Sequence, residues 1–334
     1  MSLPHCTPLN GSRILVTGGA GFIGSQVVKT LTAAGARVRI ADLRAVAPPA
    51  GGEIMVGDIR DAAFRDRIVT EDLDGVVHLA AATSVLGSIA DPAGVYELNV
   101  AATAALLEQA RVRDVRRFVL ASTNAVVGDG PGTRFDETCA LAPLTPYGAS
   151  KAATEMLMSA YAGSYGMLTC ALRLTNVYGP GMGLKDSFVP RLMRAALDRG
   201  RVQIYGDGMQ QRDLVHVADV AQGLVTAWTN GVTGPLVIGA GHSVTVLDLV
   251  AAARAATGVD IEIDHIEQKA GEMRAVVVDI SRARSLGYEP AVGLEEGMAG
   301  VWHSFRARSA RPAIVPTPVS FERMADERRT AAAA

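Results

Sequence analysis

Short apolar runs alternate with helical patterns along the first half of the chain. Runs of four or five apolar residues predict buried strands at residues 13–17, 37–41, 52–56, 75–79, 117–121 and 168–174. Apolar residues that recur every three or four positions predict helices at residues 23–34, 95–113 and 146–165. Strands that alternate with helices and are apolar throughout indicate a parallel sheet covered on both faces.

The regular alternation of predicted strands and helices changes after residue 181. Helices are predicted at residues 189–199, 219–229 and 246–257, and strands at 202–205, 235–238 and 261–263. We interpret residues 1–180 as a first domain, to which a segment at about 213–240 returns, and residues 181–305 as mainly a smaller C-terminal α/β domain that binds substrate. Residues 306–334 are rich in Arg, Ala and Pro, which predicts a disordered tail.

Composition narrows the class of protein. Hydrophobic residues make up 49% and charged residues 20%, which is typical of a soluble globular protein. The net charge of −2 does not favour nucleic acid or an anionic membrane as a partner. Three widely spaced cysteines indicate reduced thiols and form no metal pattern, and the chain shows no secretory signal, so a cytoplasmic location without a metal site is expected.

A glycine cluster lies between the first predicted strand and the first helix, in the sequence Thr17-Gly18-Gly19-Ala20-Gly21-Phe22-Ile23-Gly24. Its spacing satisfies the dinucleotide fingerprint, in which glycines allow a tight turn and a close approach of backbone to a pyrophosphate. The helix that follows offers free N–H groups and a positive dipole end to that anion. The chain is therefore predicted to have a Rossmann-type doubly wound sheet.

Acidic residues after the next strands refine the choice of cofactor. Asp42 ends the second predicted strand, where a carboxylate accepts hydrogen bonds from ribose hydroxyls and repels a 2′-phosphate, which favours NAD over NADP. Arg44 follows closely and could meet such a phosphate. Asp58 comes after the third strand, either as a turn residue or as a contact to adenine.

Tyr147 and Lys151 are four residues apart on a predicted helix, so both side chains lie on one face. A Lys ammonium beside a phenol stabilises the phenolate and is expected to lower the tyrosine pKa from its usual value of about 10. A tyrosine tuned in this way can take and return a proton near neutral pH.

These motifs, taken together, resemble the NAD-dependent epimerase/dehydratase family, the extended short-chain dehydrogenases that act on nucleotide sugars. The matching pieces, over about residues 12–300, are the glycine loop, Asp42, Gly57-Asp58-Ile59-Arg60-Asp61, His78-Leu79-Ala80-Ala81, Asn99-Val100, Ala121-Ser122-Thr123, Tyr147-Gly148-Ala149-Ser150-Lys151, Arg173-Leu174-Thr175-Asn176-Val177-Tyr178-Gly179-Pro180, Gly206-Asp207-Gly208 and Arg212-Asp213-Leu214-Val215-His216-Val217.

The resemblance implies roles for individual residues. Thr123, Tyr147 and Lys151 match the catalytic set. The cofactor residues expected from the fingerprint and the resemblance are Gly18, Gly21, Phe22, Ile23, Gly24, Asp42, Leu43, Arg44, Asp58, Ile59, Leu79, Ala80, Ala81, Asn99, Ser122, Tyr147 and Lys151. The expected substrate residues are Thr123, Asn124, Thr175, Asn176, Ser187, Phe188, Val189, Arg191, Gln203, Tyr205, Arg212 and Arg274, among which Asn176, Arg212 and Arg274 match groups that hold the diphosphate.

The reaction implied by the resemblance begins with oxidation at sugar C4, after which family members diverge. Dehydratases carry an Asp-Glu pair just after the catalytic Thr, and decarboxylases carry a glutamate in the same segment. Here residues 123–128 read Thr-Asn-Ala-Val-Val-Gly, with no carboxylate, which favours 4-epimerisation. Val127 stands where relatives usually have tyrosine, so the resemblance does not predict the shape of the sugar pocket.

The preferred substrate hypothesis is UDP-glucuronate, epimerised to UDP-galacturonate, because Thr123, Asn124, Thr175 and Arg191 offer polar groups near the expected C6 position. Gly183 stands where uronate-specific relatives often have arginine. UDP-glucose or UDP-N-acetylglucosamine is the alternative substrate, and dehydration or decarboxylation is the less favoured reaction. The resemblance also implies a homodimer that pairs the helices predicted at residues 95–113 and 146–165.

Overall fold

The computed structural model describes residues 8–128, 134–267 and 277–309. Within these residues the chain forms twelve strands. In chain order they are β1 Arg13–Thr17, β2 Arg37–Asp42, β3 Glu53–Val56, β4 Gly75–His78, β5 Arg117–Thr123, β6 Leu168–Leu174, β7 Asn176–Tyr178, β8 Arg201–Tyr205, β9 Gln211–His216, β10 Gly234–Ile238, β11 Ser243–Thr245 and β12 Glu262–Ile266.

The same part of the chain forms eleven α-helices. They are α1 Phe22–Ala33, α2 Ala62–Ile68, α3 Val85–Ala90, α4 Pro92–Tyr96, α5 Ala102–Val112, α6 Pro146–Tyr165, α7 Phe188–Asp198, α8 Val217–Thr229, α9 Val246–Thr257, α10 Ser281–Ser285 and α11 Leu294–Ser309. Helix α6 coincides with its prediction, because Thr145 caps its first turn, Pro146 suits that turn, and Gly166 ends it in the left-handed conformation.

Seven strands form one parallel sheet in the order β10-β6-β5-β4-β1-β2-β3. One apolar core lies between this sheet and helices that include α1 and α8, and a second lies under α2, α5 and α6. The predicted doubly wound fold is confirmed. Since the chain moves outward from β1 to β3 and then returns to β4 beside β1, the carboxyl ends of β1 and β4 form the switch point at which such folds bind ligands.

The C-terminal half builds two smaller sheets, β11-β9-β7 and β12-β8. Helices α7, α9 and α11 contribute to its separate apolar core, which contains Leu192, Leu249 and Met298. Two segments return to the first half. Helix α8 and strand β10 bring Trp228 and Leu236 into the core of the large sheet, and the chain around α10 adds Tyr288. The limits of the two domains remain a prediction.

Two predicted elements differ from the structure. The helix expected at residues 95–113 begins at Pro92 and contains a π-helical turn, Glu97–Ala101, between α4 and α5. The disordered tail expected from Arg306 does not begin there, because Met298, Val301 and Phe305 pack into the C-terminal core and helix α11 continues to Ser309. Residues 310–334 lie outside the described part. None of the helices described is long and apolar enough to cross a membrane.

Candidate active site

The glycine loop lies at the carboxyl ends of β1, β2 and β4. The Gly18 N–H donates to the Ala41 carbonyl at 2.8 Å, and the Leu79 N–H donates to the Thr17 carbonyl at 3.1 Å. A Cβ on Gly18 would lie 2.7 Å from the Ala80 nitrogen, and a Cβ on Gly24 would lie 2.1 Å from the Gly18 carbonyl oxygen. Glycine is therefore required at position 18 for the loop to fit against residues 79–80, and at position 24 for helix α1 to pack against the loop itself.

The start of helix α1 fits a pyrophosphate. Gly21 precedes the helix, and no side chain of the described residues caps its first turn. Phe22, at its first position, faces Gly181 of the C-terminal half: a Cβ on Gly181 would lie 3.7 Å from the Phe22 ring. The N–H groups of the first turn therefore remain available to an anion at the boundary between the two halves.

Asp42 is placed for the adenosine end of a dinucleotide. Its carboxylate accepts hydrogen bonds from the Ala20 and Arg44 backbone N–H groups, both at 3.0 Å. The Arg44 guanidinium lies 3.6 Å from that carboxylate and also donates to the Ala20 carbonyl. Leu43, beside Asp42, is 59% exposed and offers an apolar surface next to the carboxylate. The charge of Arg44 is thus engaged by Asp42, which supports the preference for NAD.

Asp58 and Ile59 both make contacts within the protein. The Asp58 carboxylate accepts from the Arg60 backbone N–H at 2.9 Å and pairs with its guanidinium. Burial acts to raise the pKa of Asp58, but the hydrogen bonds from Arg60 outweigh it and hold the pKa below its usual range. The Ile59 side chain is buried in the core. A contact from Asp58 to adenine remains a prediction.

Asn99 ties the segment after β4 to the helix that carries Tyr147. It lies buried in the π-helical turn, a feature that often marks functional sites. Its side-chain oxygen accepts from the Ala82 N–H at 2.8 Å, and its side-chain nitrogen donates to the Ala82 carbonyl and to Ser150 Oγ, both at 3.0 Å. The side chain of Asn99 therefore fixes the backbone of Ala82, directly after residues 79–81.

Thr123, Tyr147 and Lys151 come together at the end of β5 and the start of α6. The Thr123 hydroxyl lies close enough to the Tyr147 phenol to act on its pKa, lies 3.3 Å from Asn124 Oδ1, and accepts from the Ala125 N–H at 3.2 Å. The Lys151 ammonium is buried and donates to the Ala121 carbonyl at 2.8 Å. The predicted constellation is therefore present as one cluster.

The electrostatics of this cluster correct one prediction. Burial raises the pKa of Tyr147 to about 12, and the hydrogen bond with Thr123 only partly opposes it. The expectation that Lys151 brings this pKa below its usual value is wrong for the protein alone, because the Lys151 ammonium is directed at the Ala121 carbonyl. Burial also lowers the pKa of Lys151 to about 8, and the charge of Glu155 opposes that shift.

A buried ion pair lies behind the cluster. Glu155, four residues after Lys151 on α6, pairs with Arg173 at 2.9 Å, and both side chains are less than a tenth exposed. Ser122 Oγ donates to the same carboxylate. The hydroxyl of Ser122, an expected cofactor residue, is therefore directed at Glu155. The spacing of Tyr147, Lys151 and Glu155 at intervals of four residues could have revealed this third member of the helix face.

Beyond Thr123 and Asn124, the predicted substrate residues fall into two groups. Thr175 and Asn176 are committed to Asp213: Thr175 Oγ1 donates to its carboxylate at 2.8 Å, and Asn176 Nδ2 donates to its carbonyl at 3.1 Å. The Thr175 hydroxyl therefore donates its proton within the protein, and its contact with the sugar near C6 remains a prediction. Asp213 was not singled out from the sequence; it is fully buried and also accepts from the Ala240 and Gly241 N–H groups, both at 2.8 Å.

The remaining substrate residues lie in the C-terminal half. Ser187 is exposed at the start of α7 and makes no capping hydrogen bond there, whereas Val189 is buried in the C-terminal core. Four further predicted contacts are partly or fully exposed on α7, β8 and β9: Arg191, Gln203, Tyr205 and Arg212. Phe188 packs against the edge of the C-terminal core. Arg274 lies outside the described residues.

Lys185 and Thr83 form a contact that the sequence did not predict. Lys185 Nζ donates to Thr83 Oγ1 at 3.0 Å across a separation of 102 residues. The only signal in the sequence was that Lys185 is one of four lysines and lies two residues before the predicted substrate residue Ser187. This contact joins the loop after β4 to the C-terminal half.

The doubly wound sheet, the glycine loop and the Tyr147–Lys151 pair define a dinucleotide-binding enzyme. A sequence profile of the NAD dependent epimerase/dehydratase family matches residues 14–239. The chain is 34% identical to a dTDP-glucose 4,6-dehydratase of Streptomyces griseus over 89% of this chain and 95% of that protein. It is 34% identical to a putative UDP-glucose 4-epimerase of Methanocaldococcus jannaschii over 86% of this chain and 96% of that protein.

A solved structure of MoeE5 in complex with UDP-glucuronic acid and NAD has the same fold, with a TM-score of 0.81, 34% identity, and coverage of 89% of this chain and 100% of MoeE5. The chain therefore belongs to the NAD-dependent epimerase/dehydratase family. It is an enzyme that uses NAD and acts on a nucleotide sugar as an epimerase or a dehydratase.

Proposed function

We propose that this enzyme is a UDP-sugar 4-epimerase, and that its substrate is UDP-glucuronate. The observation that carries the reaction type is the segment that follows the catalytic Thr123. Elimination of water from a sugar requires an acid and a base near the bond that breaks. Residues 124–128 contain no carboxylate, and Val126 and Val127 are buried. The nearby Glu155 is locked to Arg173 and Ser122, so it is not free to act on substrate.

Tyr147 and Thr123 can remove one proton from the C4 hydroxyl of the sugar and later return it. NAD, when bound, supplies the hydride acceptor at C4 and a positive nicotinamide charge. Tyr147, as phenolate, takes the C4 hydroxyl proton, and its hydrogen bond with Thr123 already acts to lower its pKa. Thr123 can in turn hydrogen-bond the reacting oxygen. Once the 4-keto sugar has rotated, C4 would regain its hydride on the opposite face while Tyr147 returns the proton to the C4 oxygen, so that C4 is inverted and NAD is restored.

Three considerations support a uronate as the sugar. Thr123 and Asn124 place a hydroxyl and an amide at the strand end beside Tyr147. The 4-keto form of a uronate is a β-keto acid that loses CO₂ readily, and a segment without a carboxylate offers no acid to assist that loss. Finally, MoeE5, which matches 89% of this chain, was solved with UDP-glucuronic acid as well as with UDP-glucose.

UDP-glucose or UDP-N-acetylglucosamine is the second candidate substrate, and UDP-glucose is favoured by the likeness to the putative UDP-glucose 4-epimerase of Methanocaldococcus jannaschii. Dehydration is the less favoured reaction, although a dTDP-glucose 4,6-dehydratase is as similar in sequence. The diphosphate contacts of Asn176, Arg212 and Arg274, and the base contacts of Gln203 and Tyr205, are part of the proposal.

An assay with several sugars tests the proposal. The purified enzyme with NAD is expected to convert UDP-glucuronate to UDP-galacturonate, and anion-exchange chromatography measures the conversion. Its kcat/KM for UDP-glucuronate should be at least tenfold above that for UDP-glucose, a difference of about 1.4 kcal/mol. UDP-N-acetylglucosamine and dTDP-glucose serve as parallel substrates. Turnover of UDP-glucose alone would contradict the uronate, and release of water from dTDP-glucose would contradict the epimerase.

We also propose a homodimer, as the resemblance implies. Exposed apolar side chains lie on the helices expected at the interface, with Tyr96 on α4, Val112 on α5, and Met156 and Tyr165 on α6. Such patches mark association surfaces. Light scattering is expected to give about twice the chain mass of 34.8 kDa.

Met156→Glu should shift the protein toward monomer, because it buries an unpaired charge at the interface. Met209→Glu, at a similarly exposed methionine outside these helices, is the matched control and should remain dimeric. A monomeric wild-type protein would contradict the dimer.

A further inference from the structure

Lys185 occupies a place where the two halves of the molecule meet. It follows the short 3₁₀ turn Met182–Leu184 of the C-terminal half, and its Nζ donates to Thr83 Oγ1 at 3.0 Å. Thr83 belongs to the loop that continues from β4 past residues 79–81. The side chain of Lys185 therefore reaches from the C-terminal half to the loop at the carboxyl end of the large sheet.

That loop is fixed relative to the proposed base. Asn99 hydrogen-bonds both the N–H and the carbonyl of Ala82, next to Thr83, and donates to Ser150 Oγ. Ser150 lies between Tyr147 and Lys151 on the first turns of α6 and donates to the Tyr147 carbonyl at 2.7 Å. Through these contacts Lys185 is linked to the loop after β4 and, through Asn99, to the helix that carries Tyr147.

The ammonium of Lys185 has no anionic partner among the residues that the structure describes. The nearest acidic residue in the sequence, Asp186, pairs instead with Arg194 at 3.2 Å. Arg194 also donates to the Lys185 and Gly183 carbonyls at 3.1 and 3.4 Å, so it holds the backbone of this segment in place. Lys185 is partly buried, and that burial lowers its pKa. A partly buried ammonium that is hydrogen-bonded to a neutral hydroxyl is stabilised when an anion binds beside it.

We propose that Lys185, assisted by Thr83, binds the C6 carboxylate of the uronate sugar and thereby selects it over neutral hexoses. This inference rests on the proposed function. In a hexuronate the carboxylate is two bonds from C4, so it must lie close to the group that Tyr147 deprotonates. The diphosphate is the other anion of the substrate, but it lies on the far side of the sugar from C4. A cation tied to the Tyr147 helix therefore faces the carboxylate.

The test compares Lys185→Met with the wild-type enzyme. Methionine keeps the apolar stem and removes the charge. Binding to the NAD-loaded protein is measured by calorimetry with UDP-glucuronate, UDP-glucose and UDP, and kcat/KM is measured with both sugars. A charge-assisted hydrogen bond contributes enough that the Kd for UDP-glucuronate should rise about tenfold to a hundredfold. The Kd values for UDP-glucose and UDP should change less than about twofold.

Two further variants control the result. Lys185→Arg keeps the charge and should retain most of the affinity for UDP-glucuronate, whereas Lys29→Met, at an exposed position on α1, should leave all three affinities unchanged. An equal loss of affinity for all three ligands would assign Lys185 to the diphosphate, and no loss of affinity would remove Lys185 from the site. Either outcome overturns the inference. The proposed function still stands in both cases if the wild type converts UDP-glucuronate. Absence of that turnover overturns both.

Discussion

Tyr147→Phe is expected to lower kcat by about 10²-fold to 10⁴-fold while the protein still binds NAD. The substitution removes one oxygen, the group that accepts the C4 proton, and hydride cannot leave C4 efficiently while that proton remains. The ring stays in place on α6 and Lys151 keeps its hydrogen bond to the Ala121 carbonyl, so the fold should not change. Activity is followed with the preferred UDP-sugar, and NAD content is measured by absorbance after denaturation.

Tyr161→Phe is the matched control, since it removes the same oxygen from the same helix. Tyr161 donates to Glu108 at 3.0 Å, away from Thr123. Its replacement should leave kcat within about twofold of the wild type, since a surface hydrogen bond contributes little. A Tyr147→Phe enzyme that matches this control would assign the base to another residue.

Arg173→Met is expected to lower the free energy of unfolding by about 3–5 kcal/mol, because it leaves the buried Glu155 carboxylate without its counter-ion. Urea unfolding followed by circular dichroism measures the change. Arg201→Met is the control, since Arg201 pairs with Glu262 on the surface with both side chains more than half exposed. That variant should lose less than about 1 kcal/mol.

A double variant separates the cost of the unpaired charge from the loss of packing. Arg173→Met with Glu155→Leu replaces the pair by apolar groups and should recover part of the stability lost by the single variant. It should still impair catalysis, because Glu155 favours the charged form of Lys151 and accepts a hydrogen bond from Ser122, the neighbour of Thr123. Equal stability of Arg173→Met and Arg201→Met would contradict the assigned role of the buried pair.

The sequence predicted the large sheet well because its strands are continuous apolar runs, and a run such as residues 117–121 has one stable place, between two layers of helices. It also predicted where the glycine loop and Tyr147 would lie, because both follow directly from strand ends and helix periodicity. Helix α11 carried a readable apolar stripe, Met298, Val301 and Phe305, that was overlooked beside the basic residues that follow it.

Other features depended on contacts that the sequence does not encode locally. The pKa of Tyr147 is set by how deeply the fold buries the phenol, and the helical spacing to Lys151 did not reveal that the ammonium would be directed at Ala121. The hydrogen bond from Thr175 to Asp213 could not be foreseen, because the two residues are 38 positions apart in the chain. The contact of Lys185 with Thr83 could not be foreseen for the same reason.

The hydrogen bonds by which Asn99 joins Ala82 to Ser150 affect how the substrate preference of this enzyme can change. Because the loop after β4 and the helix of Tyr147 are joined by buried hydrogen bonds, the parts that perform the chemistry form one unit that tolerates little alteration. The segment around Lys185 belongs to another apolar core and approaches that unit from outside. New sugar preferences can therefore arise by exchange of a few residues there, during evolution or in the laboratory, without a redesign of the catalyst.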